Sequence, residues 1–175
     1  MEEQVILVNE LDQEIGTMGK QAAHVTGDLH RAISAFVFNS KGELLLQQRA
    51  ACKYHSAGLW TNSCCTHPRQ GESSKNAAER RLMEEMGVTC NLEHRFSFLY
   101  KAALSNGLIE HEFDHVFFGI TDEPPVLNPD EVDAYRYENI YSVIEDVKSN
   151  GKNYTEWFKI CLDEVKAHLE LKQTA

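Results

Sequence analysis

The sequence has 175 residues, of which 42% are hydrophobic and 25% are charged, which is ordinary for a globular protein. A chain of this length can bury a full core, so it needs neither disulfides nor a structural metal to fold. Its formal net charge of −10 at pH 7 argues against a general nucleic-acid-binding protein, because such a protein needs a basic face.

The chain contains no internal repeat and no linker, so we expect one domain over residues 1–175. Its first residues, MEEQVILVNE, are acidic and have no long apolar run, unlike a signal or transit peptide. No stretch approaches the ~20 apolar residues of a membrane span, so no membrane partner is expected. Five cysteines, an odd number, favour a reduced protein in the cytoplasm. A monomer and a homodimer both remain open.

Short apolar runs bounded by turn residues predict strands in the first half of the chain, at residues 4–8, 31–38 and 43–49, with a short extended piece at 58–62. The turn residues 39–42 separate two of these strands and predict a β-hairpin. Residues 17–30 mix helix formers with glycines, which indicates a short helix or a loop. Residues 50–57 are expected to form a loop.

The clearest helix covers residues 74–86, because Ser73 or Ser74 can cap its start and Gly87 can end it. Further elements are predicted by alternating or amphipathic runs: strands at 91–102, 108–120 and 135–137, a hairpin turn at Asn106 and Gly107, and helices at 140–149 and 155–171. This order of elements predicts an α+β protein, specifically a mixed α/β/α sandwich with a mixed β-sheet.

The segment TNSCCTHP places Cys65 and His67 two residues apart, so in an extended chain both side chains point the same way. A structural zinc site would need more ligands at recurring spacings, and the sequence has no C-x2-C motif. We therefore interpret Cys65 as a catalytic thiol. Cys64 faces the opposite side in this geometry and is interpreted as a packing residue.

The segment LIEHEFDH places Glu110 and Glu112 on one face of a strand that is otherwise apolar. Two like carboxylates on a buried face need a cation, a shared proton or both, whereas on an exposed edge they need neither. His24 and His30 are each more typical of ordinary histidines. Together with His67 and the two glutamates, they would suit a divalent transition metal better than a tetrahedral structural zinc.

Arg80 and Arg81 each precede a glutamate by four residues, at Glu84 and Glu85, which is the spacing of ion pairs on a helix surface. An alternative is that the carboxylates of Glu72, Glu84 and Glu85 converge on a hard cation such as Mg²⁺. The spacing alone is compatible with both interpretations.

This stretch resembles the Nudix box, G-x5-E-x7-R-E-U-x-E-E-x-G-U, where U is aliphatic. The matching positions are Glu72, Arg80, Leu82, Glu84, Glu85, Gly87 and Val88. Thr66 replaces the first glycine, and Arg81 replaces a glutamate that belongs to the cation-binding cluster of Nudix hydrolases. Arg81 therefore argues against diphosphate hydrolysis, and its guanidinium could instead contact a phosphate in a bidentate manner.

AAH followed by LH, WTNSxCxHP, the altered box and GxxExE together resemble the type 1 isopentenyl-diphosphate isomerases, over about residues 5–160. The resemblance implies a Nudix-like fold and a metal-dependent isomerase of isoprenoid biosynthesis. Such an enzyme interconverts isopentenyl and dimethylallyl diphosphate by protonation and deprotonation, so the expected partner is a small isoprenoid diphosphate. Two alternatives are a Nudix diphosphate hydrolase acting on a nucleotide and a non-catalytic, metal-stabilised binding domain.

The resemblance also implies individual roles. Catalytic positions are Cys65 and Glu112, with Tyr100 beside the glutamate. Mn²⁺ or Zn²⁺ would be held by His24, His30, His67, Glu110 and Glu112, and Mg²⁺ would be held by Glu85 together with the substrate diphosphate. Diphosphate-binding cations would be Lys20, Arg49, Lys53 and Arg81. Trp157 would close the pocket, and Trp60 is a second candidate for an aromatic face beside a developing carbocation.

Overall fold

The computed structural model describes residues 3–104 and 106–173. Its strands are β1 (Gln4–Val8), β2 (Glu14–Gly19), β3 (His30–Phe38), β4 (Glu43–Arg49), β5 (Trp60–Thr61), β6 (Cys64–Thr66), β7 (Glu93–Ala103), β8 (Ile109–Ile120) and β9 (Val132–Asn139). Its helices are α1 (Lys20–Thr26), α2 (Ser74–Met86), α3 (Ile140–Asn150) and α4 (Glu156–Gln173), with a 3-10 turn at Gly151–Asn153. The mixed sheet with its helices confirms the α+β class.

Parts of three predictions lie outside the described residues: the start of the N-terminal segment at Met1 and Glu2, one position of the β7–β8 turn, and the last two residues of the expected domain. The helices that are described do not combine the length and the apolar character that crossing a bilayer requires.

Strand β3 is the centre of the sheet. It pairs in parallel with β8 along its whole length, from His30 opposite Glu112 to Phe38 opposite Ile120. It also pairs antiparallel with β6, where Ser34 lies opposite Cys65. The two segments that carry the predicted catalytic residues therefore lie on either side of β3.

The predicted hairpin of β3 and β4 is only partly correct. The turn forms, and the Asn39 carboxamide oxygen accepts hydrogen bonds from the backbone amides of Lys41 and Glu43. The strands then diverge, however, and pair only at Phe38 and Leu44. A strand has two hydrogen-bonding edges, and those of β3 are taken by β8 on one side and by β1 and β6 on the other. β4 pairs with β9 instead.

β2 was not predicted as a strand. Its residues, EIGTMG, are exposed or half-buried, and its glycines resemble turn residues, so it lacks the apolar alternation of a half-buried strand. Its antiparallel pairing with β1 gives it a regular backbone. β6 was not predicted as a strand either, although an extended chain was assumed for Cys65 and His67. The other strands and helices agree with the prediction to within a few residues, and β9 extends on both sides of 135–137.

Alternate residues of β3 face two hydrophobic layers. Ile33, Ala35 and Val37 pack with Ala78, Leu82 and Met86 of α2. Phe36 and Phe38 pack on the opposite face with residues of α3 and α4 that include Val143, Phe158 and Leu162. The sheet thus lies between α2 and the α3–α4 pair, which agrees with the predicted α/β/α layering.

Both ends of α2 are fixed as predicted. The Ser73 hydroxyl accepts a hydrogen bond from the Asn76 amide at 3.1 Å, which caps the first turn. Gly87 ends the helix with φ of 62°, and a Cβ at this position would lie 2.6 Å from the backbone oxygen of Val126. A side chain is therefore excluded at Gly87 by its conformation and by its neighbour.

Candidate active site and metal centre

One pocket collects nearly all of the predicted site residues. Those lining it are Lys20, His24, Arg49, Lys53, Cys65, His67, Arg81, Glu85, Glu110, Glu112 and Trp157. His30 and Tyr100 do not line the pocket, but each contacts Glu112. Ala32 and Ile33 of β3 also face the pocket, between the strand with Cys65 and the strand with Glu112.

The two early histidines have fixed ring orientations. His24, in α1, places Nδ1 2.7 Å from the Lys20 carbonyl oxygen, and His30, at the start of β3, places Nδ1 2.8 Å from the Asp28 carbonyl oxygen. A carbonyl oxygen only accepts hydrogen bonds, so Nδ1 of each ring carries a proton, and Nε2 holds a lone pair when the ring is neutral. Burial alone would lower the pKa of His24, but the contact with Glu110 raises it. Both Nε2 atoms are buried, and in the neutral rings their lone pairs could bind a cation.

Glu110 and Glu112 are both buried, which confirms the predicted buried face of β8. His24 Nε2 lies 3.3 Å from Glu110 Oε2, and His30 Nε2 lies 3.5 Å from Glu112 Oε1. His67 Nε2 is closer to the same Glu112 oxygen, at 2.9 Å. The predicted ligand residues, which are far apart in the sequence, therefore meet.

Their donor set fits a divalent cation. The ligand atoms of His24, His30, His67 and Glu112 all lie within 4.8 Å of one another, and a second such group is formed by His24, His55 and Glu110. Buried Nε2 of His30 and Oε2 of Glu110 have no hydrogen-bond partner in the described part of the chain. Burying polar atoms without a hydrogen bond is costly, and a cation would satisfy both.

Cys65 is held as a thiol with a defined partner. Its Sγ lies 3.1 Å from Asn62 Oδ1 and 3.4 Å from Ser34 Oγ. The Asn62 amide nitrogen donates to the carbonyl oxygens of Ala35 and Cys64, so the amide oxygen must face the sulfur. Burial, reinforced by the Asp114 carboxyl, raises the pKa of the Cys65 thiol. The Asn62 oxygen accepts the thiol proton and fixes its direction.

Cys64 lies on the other side of β6 in the α2-facing core, as predicted for a packing residue.

Glu112 is bound on both oxygens. The Tyr100 hydroxyl donates to Oε2 at 2.6 Å, and His67 contacts Oε1. Burial alone would raise the pKa of Glu112, but the contacts with His30 and His67 hold it well below its ordinary value. Burial, together with the Glu112 charge, raises the pKa of Tyr100, so the phenol keeps its proton.

The predicted diphosphate-binding cations are paired with carboxylates. Arg81 Nε lies 2.7 Å from Glu85 Oε1, and its Nη2 lies 2.7 Å from Glu131 Oε2, which Lys53 also contacts. Glu85 is buried, so this pair is not the surface ion pair that the spacing suggested. Although burial alone would lower it, Glu85 and Glu131 raise the pKa of Arg81.

The proposed convergence of Glu72, Glu84 and Glu85 does not occur at the pocket. Glu72 accepts two hydrogen bonds from Arg80, at 2.8 and 2.9 Å, and Glu84 contacts both arginines of α2. Only Glu85 lines the pocket, where its second oxygen accepts from Gln47 at 2.7 Å. Ion pairing with neighbouring arginines thus accounts for the other two carboxylates.

Of the two candidate tryptophans, only Trp157 lines the pocket. The Arg49 guanidinium lies 5.3 Å from the Trp157 ring. Trp60 lies outside the lining, and its ring is covered by Arg136 at 4.4 Å. Lys20 reaches the pocket wall while paired with Glu3 at 3.0 Å.

Sequence reasoning missed five residues at or beside the site: Tyr54, His55, Asn62, Asp114 and Glu131. Asp114 had a usable signal, since the alternation of Glu110 and Glu112 continues to it, and it is buried with its Oδ2 accepting from Ser34 at 2.7 Å. Tyr54 and His55 lie in a loop without periodicity. Burial, followed by the charge of Arg49, lowers the pKa of His55 to about 3.

Comparisons with known proteins show which family the chain resembles. Residues 28–158 match the NUDIX domain. An isopentenyl-diphosphate Delta-isomerase 2 of Aromatoleum aromaticum is 56% identical over 165 residues, covering 94% of this chain and 87% of the relative. An isopentenyl-diphosphate Delta-isomerase of Pectobacterium atrosepticum is 52% identical over 157 residues, covering 90% and 88%.

Solved structures extend the likeness of fold. The protein DR0079 from Deinococcus radiodurans superposes with a TM-score of 0.78 at 20% identity, covering 93% of this chain and 98% of that one. A MutT protein from Methanosarcina mazei gives a TM-score of 0.66 at 18% identity, covering 79% and 94%. Taken with the relatives, the chain belongs to the isopentenyl-diphosphate Delta-isomerase family of Nudix proteins.

Proposed function

We propose that the protein interconverts isopentenyl diphosphate and dimethylallyl diphosphate by a 1,3-shift of the double bond. The observation that carries this proposal is the placement of a half-buried thiol, Cys65, and a buried carboxylate, Glu112, on strands that flank β3. The reaction adds a proton to the terminal carbon of the alkene and removes one from the carbon two positions away. It therefore needs an acid and a base along one flat hydrocarbon, and it consumes no net proton.

The groups in the pocket that can give or accept a proton support this chemistry. Cys65 carries a proton directed at Asn62, and Glu112 shares a short hydrogen bond with the Tyr100 hydroxyl. One of Cys65 and Glu112 would give a proton to the substrate while the other takes one, with Tyr100 orienting the carboxylate. A positioned acid or base contributes ~10²–10⁴-fold to a rate. Exclusion of water and the face of Trp157 would add stabilisation for the developing positive charge.

We propose Mn²⁺ or Zn²⁺ at the cluster formed by His24, His30, His67, Glu110 and Glu112. Their buried donors and the two unpartnered atoms support such an ion. When bound, it would supply positive charge that fixes the ionised form of Glu112 and leaves one carboxylate oxygen for proton exchange.

We further propose that the other end of the pocket holds the diphosphate. Lys20, Arg49, Lys53 and Arg81 line that pocket, and Lys53 and Arg81 share Glu131, which a diphosphate would replace as their partner. Mg²⁺ would join the diphosphate to Glu85, since Mg²⁺ commonly takes one or two carboxylates together with substrate phosphates. Binding at this end would orient the hydrocarbon at the reacting end.

Residues 1–175 would act as one domain, as a monomer or a homodimer. The five free thiols support a reducing compartment, for which we propose the cytoplasm.

The test is incubation with isopentenyl diphosphate in deuterated water. We expect dimethylallyl diphosphate containing deuterium, detected by mass spectrometry, with no release of phosphate or pyrophosphate. Cys65→Ala should abolish the conversion, while Cys90→Ala, which removes a thiol outside the pocket, should retain it. Release of phosphate without the isomer would support the hydrolase alternative and contradict the proposal.

A further inference from the structure

His55 is an additional imidazole that faces the proposed metal ligands. It lies in the loop between β4 and β5, is only 9% exposed, and lines the same pocket. Its ring stacks against His24 with centroids 5.8 Å apart, and its Nδ1 lies 3.8 Å from Glu110 Oε1. Neither the motifs nor the family resemblance pointed to this residue.

The loop around His55 holds the ring in place from several sides. The Tyr54 ring meets it edge-on at 4.3 Å, and Trp157 meets it edge-on at 6.0 Å. Arg49 Nη2 donates to the His55 carbonyl oxygen at 3.2 Å. Ser56, the next residue, has a backbone φ of 49°, in the left-handed region. Residues other than glycine adopt this conformation uncommonly, and it carries a strain that the surrounding structure must offset. The backbone is thus constrained where the imidazole is directed inward.

The two ligand groups that contain His24 cannot be two separate, fully occupied sites. His24 uses Nδ1 for the Lys20 carbonyl oxygen, so Nε2 offers its only lone pair, and that lone pair binds one ion. Both groups depend on this nitrogen. A single ion would therefore take its ligands from the donor residues of both groups, which are His24, His30, His55, His67, Glu110 and Glu112.

Several contacts within this set suit one ion, and the donor atoms of the two groups do not all lie within 4.8 Å of one another, so some would have to move inward to bind it. With metal–ligand bonds of ~2.1 Å, neighbouring ligands of an octahedral ion lie ~3.0 Å apart and opposite ligands ~4.2 Å apart. The nitrogen–oxygen contacts at Glu110 and Glu112 range from 2.9 Å at His67 to 3.8 Å at His55, close to this interval. The Ser56 hydroxyl, 3.3 Å from His55 Nδ1, is the other polar contact there and can rotate away.

We propose that His55 is a further ligand of the divalent-metal centre, which then has four imidazoles and two carboxylates. This rests on the metal centre proposed above. Imidazole nitrogens suit Zn²⁺ and the later first-row transition metals, whereas Mg²⁺ prefers oxygen ligands. A fourth imidazole would therefore separate this centre chemically from a Mg²⁺ site at Glu85.

The test uses Co²⁺ as the probe, bound to the whole chain after chelation of other metals. His55→Phe keeps an aromatic ring between Tyr54 and Trp157 but removes the donor, and His55→Ala removes both. His94→Ala, which deletes an exposed imidazole of β7, is the matched control. Competition with a chromophoric chelator gives the affinity, and the visible bands of Co²⁺ report coordination number, since they intensify as ligands are lost.

We expect both His55 variants to bind Co²⁺ at least ~10–100-fold more weakly than wild type, because even partners that only support a ligand have effects of this size. Their visible bands should intensify, while the control matches wild type. Wild-type affinity and spectrum in both variants would exclude His55 as a ligand and leave the proposed centre intact. Failure of wild type to bind Co²⁺ would overturn the centre and this inference together.

Thermal unfolding separates ligation from folding. A ligand that binds only the native state raises stability by an amount set by its concentration and affinity. We expect the Co²⁺-induced rise in melting temperature to shrink in both variants, with the metal-free His55→Phe protein melting close to wild type. A variant whose metal-free form melts early while its Co²⁺-induced rise is unchanged would count against the ligand role.

Discussion

Replacing Tyr100 with Phe isolates one hydrogen bond of the proposed catalytic pair. The ring would keep its stacking on Phe98, with centroids 5.3 Å apart, while Glu112 Oε2 would lose the hydroxyl donor that lies 2.6 Å away. A hydrogen bond to a charged group contributes about 1.5–3 kcal/mol. If that energy acts on the transition state, turnover falls by about 10- to 150-fold.

The assay is conversion of isopentenyl to dimethylallyl diphosphate over a range of substrate concentrations. We expect the loss in kcat, with KM within about twofold of wild type, because the hydroxyl contacts the carboxylate rather than the diphosphate-binding cations. Tyr141→Phe is the control, since it removes a hydroxyl bound to the exposed Glu170 at 3.1 Å. A Tyr100→Phe enzyme that is folded and turns over within about threefold of wild type would refute the reasoning.

Three further outcomes are expected. Cys65→Ala should lose turnover while its unfolding temperature and substrate binding stay close to wild type; turnover like that of Cys90→Ala would contradict the role of the thiol. Removal of divalent metal with a chelator should abolish isomerisation and lower the melting temperature, and full activity of metal-free protein would contradict the metal centre. Gly87→Ala should cost at least ~2 kcal/mol of unfolding free energy, from the left-handed conformation and the contact with Val126. Gly71→Ala, with similar φ but nothing within 4 Å, isolates the conformational part, and equal losses in the two variants would show that the contact is harmless.

The spacing of chemical groups within one element was predictable. Two-residue spacing places Glu110 and Glu112 on one face of β8, and strand geometry alone requires it. Ser73 and Gly87 bound α2 because few residue types satisfy the orphan groups at helix ends. The family resemblance predicted that these residues form one site. Spacing within a single element cannot show that residues of different elements meet.

What could not be predicted depends on contacts between distant segments. The pairing of β3 with β8 rather than β4 follows from competition for strand edges, which local sequence does not encode. The inward direction of His55 depends on the loop conformation at Ser56, for which the residues give no periodic signal. The second partner of Arg81 was missed for the same reason, because Glu131 lies outside α2, whereas Glu85 lies within it.

The parallel pairing of β3 and β8 also bears on how the protein folds. Every pair, from His30 with Glu112 to Phe38 with Ile120, joins positions separated by roughly eighty residues, and contacts of such high sequence separation slow folding. During synthesis, His24 and His30 leave the ribosome before β8, which carries their carboxylate partners Glu110 and Glu112. We expect assembly of this site to coincide with the late, rate-limiting steps of folding rather than with early local structure.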